Sequence, residues 1–343
     1  MLRYSSPIVF LAGIPVLYYF AGPLWPLADI MAFLLALILA ERIPAQAAPY
    51  PSSVFGEFRL LPLLYIPLQI AVIIWAVSVA ARSNLLTIIV LALSVGIAAG
   101  VFGMLCAHEL AHSRRRFDQF AALAMLTATS NRQFRISHIY GHHRWAGTER
   151  DTSTAKLGET FYSFLTRTLP GQWKDAWGFE SKRCTSHARS LFANRVLQDI
   201  VAMIFVYVAI ASEFGAPGVL FFLSESAIAI VVLELFNYIA HYGLVRDRPL
   251  EGRQPSLDSY SWNSSNELAN FLIFNMGRHS DHHRRPNVSY HVLSVITGTP
   301  ELPFGYAGSI LLALVPPLWC RVMDPKVFQL KSLELPRVIA RAD

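Results

Sequence analysis

The feature that most constrains this chain is a series of apolar runs, each near the length a helix needs to cross a hydrocarbon core, about 20 residues. Six can be drawn, at about 7–22, 27–41, 59–81, 84–107, 196–212 and 217–241. Length alone would allow two soluble domains. With 54% apolar residues and a mean hydropathy of +0.40, the expectation moves to a polytopic membrane protein. The first run lacks a small-residue cleavage site and a second follows within a few residues, so a retained helical hairpin is expected rather than a removed signal.

The formal net charge of +6 could mean a nucleic-acid partner, but position argues for topology. With these spans, the turns at Gly22-Pro23 and near Ser83 lie on one side. Every Lys and Arg except Arg82 then lies on the other. The positive-inside rule puts both termini and the long polar segments in the cytoplasm, with the chain multi-pass in the inner membrane. No nucleic-acid partner is expected. Cys106, Cys184 and Cys320 are far apart and form no CxxC pair, so buried or inert thiols are expected.

The expected organisation is all-α, one integral-membrane domain over residues 1–343. Transmembrane helices one to four fill 1–107, and 108–195 is a cytoplasmic segment with histidine motifs. Helices five and six fill 196–241, and 242–343 holds a second cytoplasmic histidine segment and the tail. The Pro- and Ala-rich stretch 42–58 reads as a connector, and Trp25 as an interfacial anchor. Gly96, Gly100 and Gly103 read as a surface for close helix packing, ahead of a slot for a slender substrate. The run near 306–317, broken by Pro316-Pro317, reads as interfacial or packed.

Four motifs carry the chemistry. His108, Glu109 and His112 extend the fourth span, with the two histidines on one face. In Ser137-His138-Ile139-Tyr140-Gly141-His142-His143, helical geometry puts His138 and His142 on one face and His143 about 100° away from His142. Glu234 and His241 lie two turns apart at the end of the sixth span. A carboxylate so deep in an apolar helix is a functional candidate, whereas Glu225 reads as a helix-to-helix hydrogen bond. In Arg278-His279-Ser280-Asp281-His282-His283, a helix would set the three histidines within an arc of about 100°, facing one metal.

Of eleven histidines, only His187 and His291 lie outside these motifs. The other nine exceed what one metal binds, since structural zinc closes at four ligands. Two metals fit the count, and imidazole suits iron, copper and zinc alike. A site capping an apolar bundle suits attack on an aliphatic chain, a task for redox iron with positions open to dioxygen. Glu109, Asp151, Glu234 and Asp281 are candidates to receive the outer N–H groups of the ligands.

His-Glu-Leu-x-His, Gly-His-His, Asn-Tyr-x-x-His-Tyr-Gly-Leu and Arg-His-Ser-Asp-His-His, in this order, resemble the membrane-bound non-haem di-iron alkane 1-monooxygenases of the fatty acid desaturase/hydroxylase superfamily. The resemblance runs through Gly158-Glu159-Thr160-Phe161-Tyr162 and Ser261-Trp262-Asn263-Ser264, over about residues 100 to 293. It implies six transmembrane helices and a cytoplasmic helical cap, in which His108, His112, His138, His142, His143, His241, His279, His282 and His283 ligate two Fe ions. It also implies dioxygen, an apolar alkyl substrate, and electrons from a separate rubredoxin and rubredoxin reductase, since the two CxxC pairs of a fused rubredoxin are absent. Arg114 to Arg116, Arg284 and Arg285 could attract such an acidic partner.

Ser137 and Ala240 stand where many family members have Glu, and Ser113 where they often have Lys. Two rival readings remain. A fatty-acyl desaturase would use the same histidine boxes, and a membrane metal-binding or transport protein would place ligands along a transmembrane path.

Overall fold

The computed structural model describes residues 2–43, 58–246 and 260–339. The connector expected over 42–58 lies almost wholly outside them. The described residues are mostly helical, and the only strand-like pairing among them is an isolated bridge between Asn263 and Glu301.

Each expected span contains a helix. α1 (Ser6–Phe20) and α2 (Pro26–Arg42) form a hairpin, α3 is Leu60–Ala80, and α4 runs through Leu85–Ala111. The side chain of Asn84 caps α4 by accepting the Thr87 N–H at 2.9 Å, as a capping residue should. Residues 99–103 of α4 adopt a π-helical turn.

Arg195–His241 is one helical run by hydrogen bonding, but Gly215 inside it has φ 64° and ψ −165°, a conformation open to glycine. Pro217 follows it. The rings of Tyr207 and Phe222 meet at 5.3 Å, whereas a straight helix would set these residues about 22 Å apart. The run is therefore two helices folded back on each other, α8 (195–214) and α9 (216–241). Ser130 closes the fold, its hydroxyl 3.0 Å from both the Tyr207 hydroxyl on α8 and the Ser226 hydroxyl on α9.

Three helical runs are long and apolar enough to cross a membrane by length and composition: Leu60–Ala80, Leu85–Ala111 and Arg195–His241. Apolar side chains such as Phe20, Leu64, Ile74, Ile89, Phe205 and Leu223 face outward, each more than 45% exposed. An apolar surface of that extent marks contact with lipid or partners. The glycines of α4 serve packing. A Cβ on Gly96 would come within 2.8 Å of the Glu225 carbonyl oxygen, and one on Gly100 within 2.9 Å of that of Ala229, so α4 and α9 meet backbone to backbone.

The remaining helices gather at one end of this bundle. They are α5 (Arg116–Ala128), α6 (residues 134–145), α7 (Phe161–Ser186), α10 (Glu267–Leu272), α11 (His279–Arg284), α12 (Gly305–Ala313) and α13 (Pro316–Ile339). Arg59, just before α3, is ion-paired with Asp118 on α5. The apolar run near 306–317 is packed: Tyr306 is fully buried and stacks on Phe236 at 4.8 Å.

Candidate metal centre

Four elements deliver the nine histidines. α4 carries His108 with His112 at its end, α6 carries His138, His142 and His143, α9 ends on His241, and α11 opens on His279. The rings gather into two groups: His108, His112, His138, His143 and His282 in one, His142, His241, His279 and His283 in the other. Within each group the nitrogens lie within 4.8 Å of one another.

This division corrects two expectations drawn from α-helical geometry. Residues 138–142 form a π turn, whose i→i+5 bonding brings side chains five apart together. His138 thus meets His143, Nε2 to Nε2 at 2.9 Å, and His142 joins the other group. On α11, the three histidines do not face one centre. His282 lies 3.2 Å from His143 in the first group, and His283 lies 3.1 Å from His279 in the second.

The residues fit a pair of metal ions. The Nε2 atoms of His108, His112 and His142 are buried with no hydrogen-bond partner. His241 and His279 approach Nε2 to Nε2 at 3.1 Å. Adjacent ligands each about 2.1 Å from one ion would sit about 3.0 Å apart, so the four close nitrogen pairs have the spacing of shared coordination. All four fall within a group, none between groups. Burial, and after it the crowding of neighbouring imidazoles, pushes His138, His143, His279, His282 and His283 well below the ordinary histidine pKa. Neutral imidazole is the form that binds metal.

Of the four expected supporting carboxylates, the structure brings one to a ring. Asp151 Oδ2 lies 2.9 Å from His142 Nδ1 and accepts the Thr154 hydroxyl at 2.7 Å, while Oδ1 accepts the Ser153 N–H. Burial alone would raise this carboxyl, but His142 and these hydrogen bonds hold it below the ordinary range.

The other three are held elsewhere. Glu109 accepts the Ser289 hydroxyl and the Tyr290 N–H, locking α4 to the segment after α11. Glu234 accepts from Gln172 of α7 at 2.7 Å rather than from His241. Asp281 pairs with Arg285 and accepts the Ser294 N–H. Their expected contact with a ligand is not made, because each already has a donor from another element.

Two further supports are not among the four candidate carboxylates, although Asn263 stands in the Ser261-Trp262-Asn263-Ser264 stretch of the resemblance. His241 Nδ1 is 3.0 Å from the Tyr260 carbonyl oxygen, a backbone group that a sequence does not single out. Asn263 accepts the Ser280 N–H at 2.9 Å and donates to the Ser280 hydroxyl at 2.8 Å, which fixes the start of α11. Ser137 turns its hydroxyl to the Phe134 carbonyl, and Ala240 leaves its carbonyl to the Trp262 N–H, so neither position supplies a carboxylate.

A narrow crevice of about 10 Å³ reaches His108 and His282 between Leu105, Phe274, Met276 and Leu293. Arg114, Arg115 and Arg116 are exposed just past α4, and Arg284 at the end of α11.

Long apolar helices closed at one end by two histidine groups define the class, a helical protein of membrane type with a histidine-built metal centre. The profile of the fatty acid desaturase family matches residues 83–305. An alkane 1-monooxygenase of Pseudomonas putida is 36% identical over 82% of this chain and 71% of its own length. Alkane 1-monooxygenase 2 of Pseudomonas aeruginosa is 35% identical over 83% and 77%. A xylene/toluene monooxygenase hydroxylase component of Pseudomonas putida is 29% identical over 94% and 88%. The chain belongs to the fatty acid desaturase family and, within it, to the alkane 1-monooxygenases.

Proposed function

We propose that the chain is a membrane monooxygenase that hydroxylates a terminal C–H bond of an alkane or alkyl chain. The observation that carries this reading is the sorting of nine histidines into groups of five and four, in a member of a family of alkane-oxidising relatives. His108, His112, His138, His143 and His282 would hold one iron, and His142, His241, His279 and His283 the other. Bound there, the two irons would supply the activation of dioxygen, with one oxygen atom entering the C–H bond and the other leaving as water.

The chain's own residues bind and orient. Asp151 and the Tyr260 carbonyl fix the tautomers of His142 and His241, so that Nε2 of each faces inward. Leu105, Met276 and Leu293 would guide an apolar chain end toward His108 and His282. The crevice holds little more than one water as it stands, so entry requires these side chains to move, and the same tightness excludes bulk water. Holding the reacting bond in place can lower a barrier by several kcal/mol, up to about 7–11.

Six transmembrane helices are proposed, α1 to α4 with α8 and α9, forming one domain over 1–343. Residues 108–195 and 242–343 would form the cytoplasmic cap, with both termini on that side of the inner membrane. Electrons would come from a separate rubredoxin and its reductase, the rubredoxin docking by its acidic surface near Arg114 to Arg116 and Arg284.

A panel of alkyl substrates with labelled dioxygen, the purified chain, rubredoxin and reductase tests this. Terminal alcohol carrying one labelled oxygen is expected. An unlabelled alkene would instead establish the desaturase, and metal without oxygen uptake a binding or transport protein. His282→Ala should remove turnover, and undiminished product would take that residue out of the centre. The relative named for xylene and toluene matches 94% of this chain, which favours including methylbenzenes in the panel.

A further inference from the structure

Away from the histidines, a second cluster of basic side chains surrounds a cleft where α7 gives way to α8. The cleft is an open depression of about 450 Å³ lined by Arg183, His187, Arg189, Ala193, Arg195 and Gln198. Glu180 lies buried beside it and accepts from both Arg183 at 2.7 Å and Arg195 at 2.6 Å. That shared carboxylate holds two guanidinium groups side by side by taking the Nε and Nη2 donors of each, and Arg189 adds a third cation to the lining. One carboxylate against Arg183, Arg189 and Arg195 leaves positive charge in excess. Arg183 also donates to the Ala193 carbonyl at 2.5 Å, which pins the loop between the helices as the rim. On that rim Ala188 holds φ 48° as the left-handed residue that closes α7, the Arg189 N–H returning to the Cys184 carbonyl at 2.9 Å.

The rim also shows its depth. Leu191 and Phe192, between the lining residues, are 58% and 81% exposed. α8 then leaves the cleft with Val201, Ile204, Phe205 and Val208 turned outward. At 1.5 Å per residue, Val201 stands about 9 Å beyond Arg195. The headgroup layer on each side of a bilayer is about 5–8 Å deep. With Val201 at the edge of the hydrocarbon, the start of α8 at Arg195 lies at the outer margin of the headgroups, within reach of a long guanidinium side chain. Leu191 and Phe192 add exposed apolar side chains to the same rim, of the kind that enters a membrane interface.

We propose that this cleft binds the phosphate headgroup of an anionic phospholipid of the cytoplasmic leaflet, seating the start of α8 at the membrane surface. The proposal rests on the membrane placement given above. Charge supports it over a zwitterionic headgroup, since basic residues near a surface draw anionic lipid.

The test uses the full metal-loaded chain in nanodiscs of phosphatidylcholine with or without phosphatidylglycerol, and native mass spectrometry of the lipid retained on release. Wild type should keep phosphatidylglycerol over phosphatidylcholine. Arg189→Gln should lower that preference about fivefold, the effect of one cation near the surface, and Arg189→Glu should lower it further. Lys182→Gln, exposed on α7 outside the lining, should leave it unchanged. Iron content and circular dichroism confirm that each variant is folded.

Equal retention of both lipids, or an unaltered preference in both Arg189 variants, overturns the lipid site while the chain's stable residence in the discs keeps the membrane reading. A chain that enters neither disc overturns both. Displacement of the lipid by millimolar inorganic phosphate that binds as tightly would make a soluble anion the ligand and overturn the lipid assignment.

Discussion

At the scale of single residues, His142 shows how a candidate ligand is oriented by its neighbours. Its Nδ1 is held by Asp151 at 2.9 Å, and its Nε2 is left buried and unpartnered. Asp151 is in turn fixed by Thr154 and Ser153, so the acceptor that orients the ring is itself held in place. Replacing Asp151 with Asn keeps the shape but removes the charge that favours the donating tautomer. Metal affinity should fall about 10–100-fold, the usual cost of losing such a partner. Chelator competition with iron quantified by mass spectrometry reads it, and an unchanged affinity would mean that His142 needs no such support. Asp151 was legible as a candidate in the sequence; that Glu109, Glu234 and Asp281 were already engaged was not, because their partners Ser289, Gln172 and Arg285 come from packing or from a helix whose bounds had to be known.

Among elements, the apolar runs located the bundle helices closely, because hydropathy and length are written directly in the chain. The pairing of histidines across elements was less legible. A π turn leaves no mark in the pattern of apolar residues, yet the one at 138–142 decides which group receives His142. The glycines of α4 were readable as packing residues, and their contact can be tested. A Cβ at Gly100 would fall 2.7 Å from Val232 Cβ and 2.9 Å from the Ala229 carbonyl oxygen. Gly100→Val should push α4 from α9 and destabilise the bundle by about 1–3 kcal/mol, with Gly100→Ala milder. Thermal unfolding in detergent measures both, and no loss in either would show that the contact is slack.

The junction of α7 and α8 supplies a pH test. Burial opposes ionisation of Glu180, but hydrogen bonds from Arg183 and Arg195 outweigh it and bring the carboxyl down to about 2. A depressed carboxyl contributes stability above its ordinary pKa of 4.5 and loses it as pH falls through the folded value. Glu180→Gln should therefore be less stable than wild type at pH 7, and the gap should narrow as pH falls from about 4.5 toward about 2. A gap of constant size across that range would show that the carboxylate charge is not what the arginines recognise.

For the whole molecule, the histidine centre joins parts of the chain that sequence keeps far apart. His108 on α4 and His282 on α11 share one group, and His142 on α6 joins His241 on α9 and His279 on α11 in the other. Close pairs of neutral rings, nitrogen to nitrogen at 2.9–3.2 Å, are satisfied when an ion lies between them and strained when lone pairs face each other. On the proposed function, the site would couple metal occupancy to the packing of these elements, since an ion bound only by the folded chain adds its binding free energy to stability. Iron at 100 times its dissociation constant would contribute about 2.7 kcal/mol for each such ion. Stripping the protein with a chelator should lower its unfolding temperature and raise hydrogen exchange at 138–145 and 279–284. α3, which carries no ligand, should keep its protection, and ferrous iron should restore the rest. Exchange that rises equally in α3, or that does not change at α11, would show that the cap is held by its own packing and not by the ions.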